Sequence, residues 1–264
     1  MRPRLVIAVA AGLLFCGGFG RAQENAPAPG ADQAREILDR AIAALGGPTY
    51  LNVQDITRRG RLYSFDRGEL ASPGERFVDY LKFPGKERFE IGKDGKIVYL
   101  NVNDQGWELD RQGVRDQTPE QIENFQTANL RDLEYLLRFR LGEEKMQLYS
   151  LGREFVDNRR VHVIELVDAQ NRSLTLVIDV STYLPVQLRY RRRDVLSGEW
   201  VEEMEYYGKY ITVQGIQTPM HVSRERAGLR VFEVYFSEVR YNTGVSDQLF
   251  TRASLEERWR KLKK

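Results

Sequence analysis

The chain has little of the chemistry on which most enzymes depend. Its 264 residues include a single cysteine, Cys16, and only two histidines, His162 and His221. Both histidines alternate with apolar residues in predicted strands, where a lone histidine is more often structural than catalytic. The motifs of zinc proteases, α/β-hydrolases and phosphate-binding loops are missing from the sequence. These absences argue against an enzyme.

No apolar run in the sequence is long enough to span a bilayer comfortably. The best candidate, residues 5–15, follows two arginines and precedes small residues, as in a secretory signal peptide. We therefore predict a cleaved signal peptide at 1–22, a flexible tether rich in alanine and proline at 23–30, and one domain at 31–264. Because the cysteine leaves with the signal peptide, an apolar core without disulfides must stabilise the mature chain.

The mature chain also lacks an excess of either charge. Three of the 40 basic residues and none of the 38 acidic ones precede residue 23, so the chain is close to neutral after cleavage. A near-neutral exported protein has no overall field that would recruit nucleic acid, and we predict no nucleic-acid partner. Arg189, Arg191 and Arg193 alternate with Leu188 and Tyr190, which predicts an outward polar face. Contact of this face with an anionic headgroup or a partner protein stays open.

Carboxylates are abundant, and Glu202, Glu203 and Glu205 lie on one predicted strand. Glu203 and Glu205 share a face, and paired carboxylates can perform glycosidase-type acid–base catalysis. At this density of charge, however, same-face pairs arise by chance. We therefore interpret these residues as part of a solvated outer face balanced by neighbouring arginines.

Apolar residues recur at helical spacing in three segments. The first, 31–45, ends at a pair of glycines, and the second, 119–141, starts at a capping box after Thr118. The stretch 126–129 is a candidate break within the second segment. Another capping box at Ser254 predicts a short C-terminal amphipathic helix. The first two segments must bury their apolar stripes against another layer.

Elsewhere the period changes to two, and short strand-like runs are separated by turn sequences such as Pro84-Gly85 and Asp94-Gly95. Links so short can join only antiparallel neighbours, and an open sheet of about a dozen strands curls. We therefore predict a mainly β fold with α-helices, in which a strongly curved antiparallel sheet forms an incomplete, half-open β-barrel covered by helices. The predicted strands lie near 56–64, 75–83, 86–92, 96–101, 106–111, 146–156, 161–168, 173–180, 185–193, 199–208, 219–226 and 229–241.

Segments with a distinctive combination of strand and turn residues lie at 77–84, 87–90, 94–96 and 179–185. Together with the order of helix, meander, helical insertion and second meander over 31–250, they resemble the LolA/LolB-like superfamily of outer-membrane lipoprotein-sorting carriers. The resemblance implies an open β-barrel with a helical lid and an apolar cavity for acyl chains, without a cofactor. Phe83 departs from the pattern, because the sorting carriers have an arginine before the proline. We interpret Phe83 as a strand or turn aromatic, and expect the fold to carry over better than the shuttling of lipoproteins.

A helix that lies across a curved apolar sheet leaves a cavity or groove between the two layers. We therefore hypothesise a non-enzymatic periplasmic binding or carrier protein for lipoproteins or other lipid and acyl-chain ligands, without metal or cofactor and with at most transient membrane contact. The alternative is a self-filled barrel that acts as a sensor or interaction module for an envelope protein partner. The predicted cavity-lining residues are Leu133, Leu137, Leu174, Leu176, Ile178, Phe232, Val234 and Phe236.

Overall fold

A computed structural model of the protein describes residues 30–193 and 198–263. The predicted signal peptide, 1–22, and the tether up to residue 29 lie outside the described residues. The helices are α1 (Ala31–Leu45), α2 (Pro48–Leu51), α3 (Pro119–Asn129), α4 (Leu133–Arg138) and α5 (Arg252–Leu262). The strands are β1 (Asp55–Asp66), β2 (Glu69–Leu70), β3 (Glu75–Lys82), β4 (Lys86–Ile91), β5 (Ile97–Val102), β6 (Gln105–Asp110), β7 (Gly113–Asp116), β8 (Gln147–Val156), β9 (Arg159–Val167), β10 (Ser173–Asp179), β11 (Pro185–Arg193), β12 (Trp200–Val213), β13 (Ile216–Arg226) and β14 (Leu229–Tyr241).

The described strands form one fourteen-stranded sheet in the order β7-β6-β5-β4-β3-β1-β14-β13-β12-β11-β10-β9-β8, with β2 paired to β1. β1 lies in the middle of the sheet, because it pairs antiparallel with β3 on one side and with β14, the last strand, on the other. Across the described residues the two edge strands, β7 and β8, do not pair with each other, so the barrel stays open. The predicted fold, a curved antiparallel sheet that forms a half-open barrel, is confirmed.

The sheet topology forces the helical insertion across the open side of the barrel. β7 ends at one edge of the sheet and β8 begins at the other, so the segment between them, 117–146, must bridge the two edges. This segment contains α3 and α4. α1 packs against β8 and β13. The buried residues of α1 are Ala34, Ile37, Leu38, Ala41 and Leu45.

The two helices of the insertion differ in how they are anchored. α4 buries Leu133, Leu136 and Leu137 in the main core. α3 has no buried residue and contacts β6 near one edge of the sheet. The expectation that all of 119–141 buries its apolar stripe is therefore wrong for α3, which lies at the rim of the barrel rather than over its centre.

The break between α3 and α4 lies at 130–132 rather than at the predicted 126–129. It is set by Asp132, whose carboxylate accepts hydrogen bonds from the backbone N–H groups of Glu134 and Tyr135 and so caps α4. The cap places the N-terminal end of α4 at the concave face of the sheet, where Asp132 lines a cavity.

The C-terminal helix packs behind the sheet in a second, smaller core. Leu255 is fully buried there, among apolar residues of β5 and β6. The helix begins at Arg252 rather than at the predicted Ser254, because the hydroxyl of Thr251 accepts a hydrogen bond from the Ser254 N–H and caps it. β12 is also longer than predicted: Gly208 does not end it, and its pairing with β13 continues to Val213. The short strands β2 and β7 were not predicted.

Candidate ligand-binding cavity

A cavity of about 210 Å³ lies between the concave face of the sheet and the N-terminal end of α4. Its walls come from the middle of the sheet, from β1, β3, β4 and β12 to β14. Pockets for drug-sized ligands enclose roughly 300–1,000 Å³. In this conformation the cavity therefore has room for a small group or a short length of chain.

One part of the cavity wall is apolar and incompletely covered. Phe77 and Phe89 stack with their ring centroids 5.2 Å apart, and Phe77 meets Phe236 edge-on at 5.9 Å. Phe232, Val234 and Phe236 of β14 line the cavity and are only half-buried. Side chains of a close-packed core are covered on all sides. This row instead presents apolar surface that a ligand could cover.

The eight predicted lining residues fall into two groups. Four of them line the cavity: Leu133, Phe232, Val234 and Phe236. The other four do not line this cavity and lie in the main core, to which Leu133 also belongs: Leu137, Leu174, Leu176 and Ile178. The three on β10 are separated from β14 by three intervening strands, and α1 packs on that part of the sheet.

A charged layer adjoins the apolar part of the cavity, and sequence patterns did not predict it. Arg58 on β1 faces Asp79 on β3, with Arg58 Nε 3.3 Å from Asp79 Oδ2. Glu87 on β4 and Asp132 at the start of α4 line the same cavity. A signal was present in the sequence, because a period of two places Asp79 on the same strand face as Phe77.

Burial makes three of these carboxyl groups hard to ionise. It raises the pKa of Glu87 to about 8, with Asp79 raising that pKa further and Arg58 lowering it. Burial also raises the pKa of Asp79 to about 6 and the pKa of Asp132 to about 6, in both cases against the effect of Arg58. Strongly shifted pKa values in a cleft are typical of a functional site.

Glu203 and Glu205 are buried, which corrects the expectation of a solvated outer face. Only 2% of Glu203 and 7% of Glu205 are exposed. Arg224 Nε donates to Glu205 at 2.8 Å, and both residues line the cavity. Burial alone would raise the pKa of Glu203, but hydrogen bonds from Arg192 and Tyr190 outweigh it and lower that pKa. The expected arginine partners are present, so these carboxylates are compensated charges.

Phe83, the position that departs from the sorting carriers, packs against α4. The centroid of its ring lies 5.3 Å from that of Tyr135 and 5.5 Å from that of Phe139. The guanidinium of Arg138 lies 5.3 Å from the centroid of the Phe83 ring. The backbone N–H of Gly85 donates a hydrogen bond to the Tyr135 hydroxyl at 2.8 Å. These contacts attach α4 to the turn between β3 and β4.

The two histidines have local partners outside the cavity. His221 Nε2 lies 2.6 Å from Glu233 Oε1, and the His221 ring stacks on Tyr235. His162 stacks on Tyr183. Over 30–193 and 198–263 no group of three His, Cys, Asp or Glu side chains is placed to hold a metal ion.

The outward arginines of β11 lie beside an exposed tryptophan. The guanidinium groups of Arg191 and Arg193 lie 6.0 and 5.8 Å from the ring centroid of Trp200, which is 58% exposed. Arg192, on the opposite face, pairs with the buried Glu203. The predicted outward polar face of this strand is confirmed. In the described part of the chain no helix is both long and apolar enough to cross a membrane.

No protein-family model matches the sequence, and no curated protein matches it. Solved structures do match. A DUF1329 family protein from Desulfovibrio piger is 17% identical with a TM-score of 0.60, over 84% of this chain and 98% of that one. A putative outer membrane lipoprotein-sorting protein domain from Vibrio parahaemolyticus is 14% identical with a TM-score of 0.57, over 86% and 99%. A LolA superfamily protein from Nitrosomonas europaea is 18% identical with a TM-score of 0.53, over 84% and 99%. At these identities the similarity shows the fold, and the predicted LolA-like fold is confirmed.

Proposed function

We propose that the protein is a non-enzymatic, periplasmic binding or carrier protein for lipoproteins or other ligands with acyl chains. The observation that carries this proposal is the row of half-buried apolar side chains on β14, beside the stacked pair Phe77 and Phe89. A ligand chain in the cavity would complete their burial. Each buried methylene group contributes about 0.8 kcal/mol before the entropy cost of binding.

The shared fold supports the proposal. The Vibrio parahaemolyticus protein is described as a putative outer membrane lipoprotein-sorting domain, and it aligns over most of this chain. In the proposal Leu133, Phe232, Val234 and Phe236 touch the ligand directly, because they line the cavity. Leu137, Leu176 and Ile178, in the main core, would reach a ligand only after a helix had moved, whereas Leu174 borders a separate groove.

A chain longer than the cavity requires the helical insertion to move. α4 is fixed by its buried leucines and by Phe83, whereas α3 has no buried residue and leads directly into the cavity through 130–132. Displacement of α3 would therefore lose little apolar burial. We propose that ligands enter and leave beside this helix while α4 stays on the sheet.

The uncharged apolar dye Nile red tests the proposal without detergent. The mature protein should bind it saturably, and Phe236→Asp should weaken binding by at least about tenfold, because a carboxylate would occupy the apolar wall. Phe155→Asp is the matched control, since Phe155 is 76% exposed on β8 and outside the cavity. Both variants should keep the circular dichroism spectrum and cooperative unfolding of the wild type.

Two results would contradict the carrier proposal. One is a folded wild-type protein that shows no saturable dye binding. The other is an equal loss of dye binding in Phe236→Asp and Phe155→Asp, which would place the dye outside the cavity. Unfolding of Phe236→Asp would be resolved with Val234→Asn, a smaller change on the same half-buried row.

The edge strand β8 favours a second candidate, a self-filled barrel that binds an envelope protein. In the described structure β8 lies at the end of the sheet and exposes Leu151 by 55% and Phe155 by 76%. An exposed strand edge with apolar side chains can add a strand from a partner. Absence of dye binding, together with an envelope protein that co-purifies with the wild type but not with Phe155→Lys, would favour this function.

Membrane contact in either function would be transient. The surface best suited to it is the outward face of β11, where Arg191 and Arg193 flank the exposed Trp200. Arginine and tryptophan together favour the interface of an anionic membrane. Within the carrier proposal, this face would approach the headgroups while the cavity exchanges its ligand.

A further inference from the structure

Three carboxyl groups of the cavity share one guanidinium. Asp79 on β3, Glu87 on β4 and Asp132 at the start of α4 all line the cavity with Arg58 on β1. Among the described residues only Asp79 is close enough for an ion pair, with its Oδ2 3.3 Å from Arg58 Nε. The charge of Arg58 can therefore compensate one ionised carboxylate and leaves two without a cation.

The other charges at the cavity compensate each other. Glu134 pairs with Arg138 at 2.7 Å, and Glu205 accepts a hydrogen bond from Arg224 Nε at 2.8 Å. Neither arginine is within ion-pair distance of Asp79, Glu87 or Asp132 in the described structure. The excess of carboxyl groups is therefore local to the layer around Arg58.

Hydrogen bonding in this layer is incomplete, because Arg58 Nε, although 3.3 Å from Asp79 Oδ2, makes no hydrogen bond among the described residues. The side chain of Asp79 is only 9% exposed, and its Oδ1 has no hydrogen-bond partner among the described residues. Glu87 makes neither a hydrogen bond nor an ion pair within the described chain. Buried polar atoms in folded proteins nearly always have a partner. A buried, unpaired acceptor on a residue that lines a cavity can accept a hydrogen bond from a bound group.

We propose that the ligand carries a protonated primary amine beside its apolar chain, and that this amine binds between Asp79, Glu87 and Asp132. The inference rests on the proposed carrier function and specifies the class of ligand. An ammonium group is a compact cation with three N–H donors, and three carboxyl groups line this cavity. Together with Arg58 it would bring this layer to two cations for three carboxyl groups.

The neighbouring apolar residues place the chain of such a ligand. Asp79 lies directly opposite Phe89 in the pairing of β3 with β4, and Phe77 is the next inward residue of β3. An amine at Asp79 would therefore have its alkyl chain against the stacked rings of Phe77 and Phe89. From there the chain would run along the half-buried side chains of β14.

The same geometry makes the affinity for an amine depend on pH. Burial raises the pKa of Glu87 to about 8, so in the empty cavity this carboxyl group is largely neutral below that pH. An alkylamine stays protonated up to about pH 10. Affinity should therefore rise as the pH increases from about 5 to about 8.5. The charged and titratable groups facing the layer are Arg58, Asp79, Glu87, Asp132, Glu134, Tyr207, Glu205, Arg224 and Tyr241.

Three probes with the same chain and different headgroups test the proposal: decylamine, decanol and decanoate. Calorimetric titration of the mature protein at about pH 8.5 should give at least about tenfold tighter binding of decylamine than of decanol, and the weakest binding for decanoate. Glu87→Gln should remove most of the advantage of decylamine over decanol. Glu238→Gln is the matched control, because Glu238 lies on β14 outside the cavity and pairs with Arg59 and Arg240.

The outcomes separate this inference from the function on which it rests. Equal binding of the three probes, or tightest binding of decanoate through Arg58, would overturn the amine and leave the carrier function standing. Binding of none of the probes would count against both. If Glu87→Gln does not fold, the same titrations are made with Asp79→Asn and with the wild type at several pH values. An affinity for decylamine that stays constant from about pH 5 to about pH 8.5 would also overturn the proposal.

Discussion

Replacing Glu87 with glutamine should stabilise the ligand-free protein at alkaline pH. Burial raises the pKa of Glu87 from its ordinary value of 4.5 to about 8. Between these values the folded protein keeps a proton that the unfolded chain has released. This carboxyl group therefore lowers the free energy of unfolding as the pH rises from about 4.5 to about 8. The penalty above that range is at most about 5 kcal/mol.

Neighbouring groups act in the same direction over part of this range. Burial raises the pKa of Asp79 and that of Asp132 to about 6, so both lower the free energy of unfolding up to that pH. Asp168 and Asp179 have a lowered pKa, since hydrogen bonds outweigh burial. The stability that these two carboxylates contribute is lost only as the pH falls below the ordinary aspartate pKa of 3.8. The wild type should therefore lose stability from about pH 5 to about pH 9.

Urea unfolding followed by circular dichroism measures this effect at several pH values. Glu87→Gln and wild type should be equally stable near pH 5, and the variant should become more stable by a few kcal/mol at about pH 9. Glu238→Gln, on the other side of β14, should follow the wild type. A difference between Glu87→Gln and wild type that does not change with pH would show that folding does not raise the pKa of Glu87. A wild type that gains stability towards pH 9 would contradict the raised pKa values of this layer.

Two further substitutions test the main core and the attachment of α4 separately. Leu176 is fully buried and lies outside the cavity. Leu176→Ala should therefore lower the free energy of unfolding by about 2–5 kcal/mol and leave the Nile red affinity of the folded protein unchanged. Lost affinity in a stable variant would contradict this placement of Leu176. Phe83→Ala removes the ring contacts with Tyr135 and Phe139, so hydrogen exchange should speed up in α4 but not in β1. Unchanged exchange in α4 would show that Phe83 does not anchor it.

Sequence patterns predicted the elements whose ends are marked by local chemistry. α1 ends at the predicted glycine pair, where Gly46 has a φ of 134° and a side chain would meet the backbone of Gly215. α3 begins at the predicted capping box of Thr118 and Gln121, with both reciprocal hydrogen bonds formed. Alternation with a period of two predicted most strands of the curved sheet, because one face of each strand is buried.

Features set by contacts between distant segments were not predictable in the same way. α3 has an amphipathic pattern, yet no residue of it is buried, since the sheet edges determine where the insertion crosses. Glu203 and Glu205 look like a solvated face until Arg192 and Arg224 are seen to compensate them from other strands. Asp79 was not predicted as a site residue; the period of two could have placed it on the inward face with Phe77, but its unusual pKa depends on groups from other elements.

Native mass spectrometry of the mature protein shows directly whether the protein holds an apolar ligand. The protein would be exported through its own N-terminal segment and purified without detergent, so that a bound ligand is retained. The carrier account predicts extra mass that extracts into organic solvent and leaves the apo mass behind. A clean apo mass, with no uptake of added decanol or decylamine, would contradict it and favour a self-filled barrel.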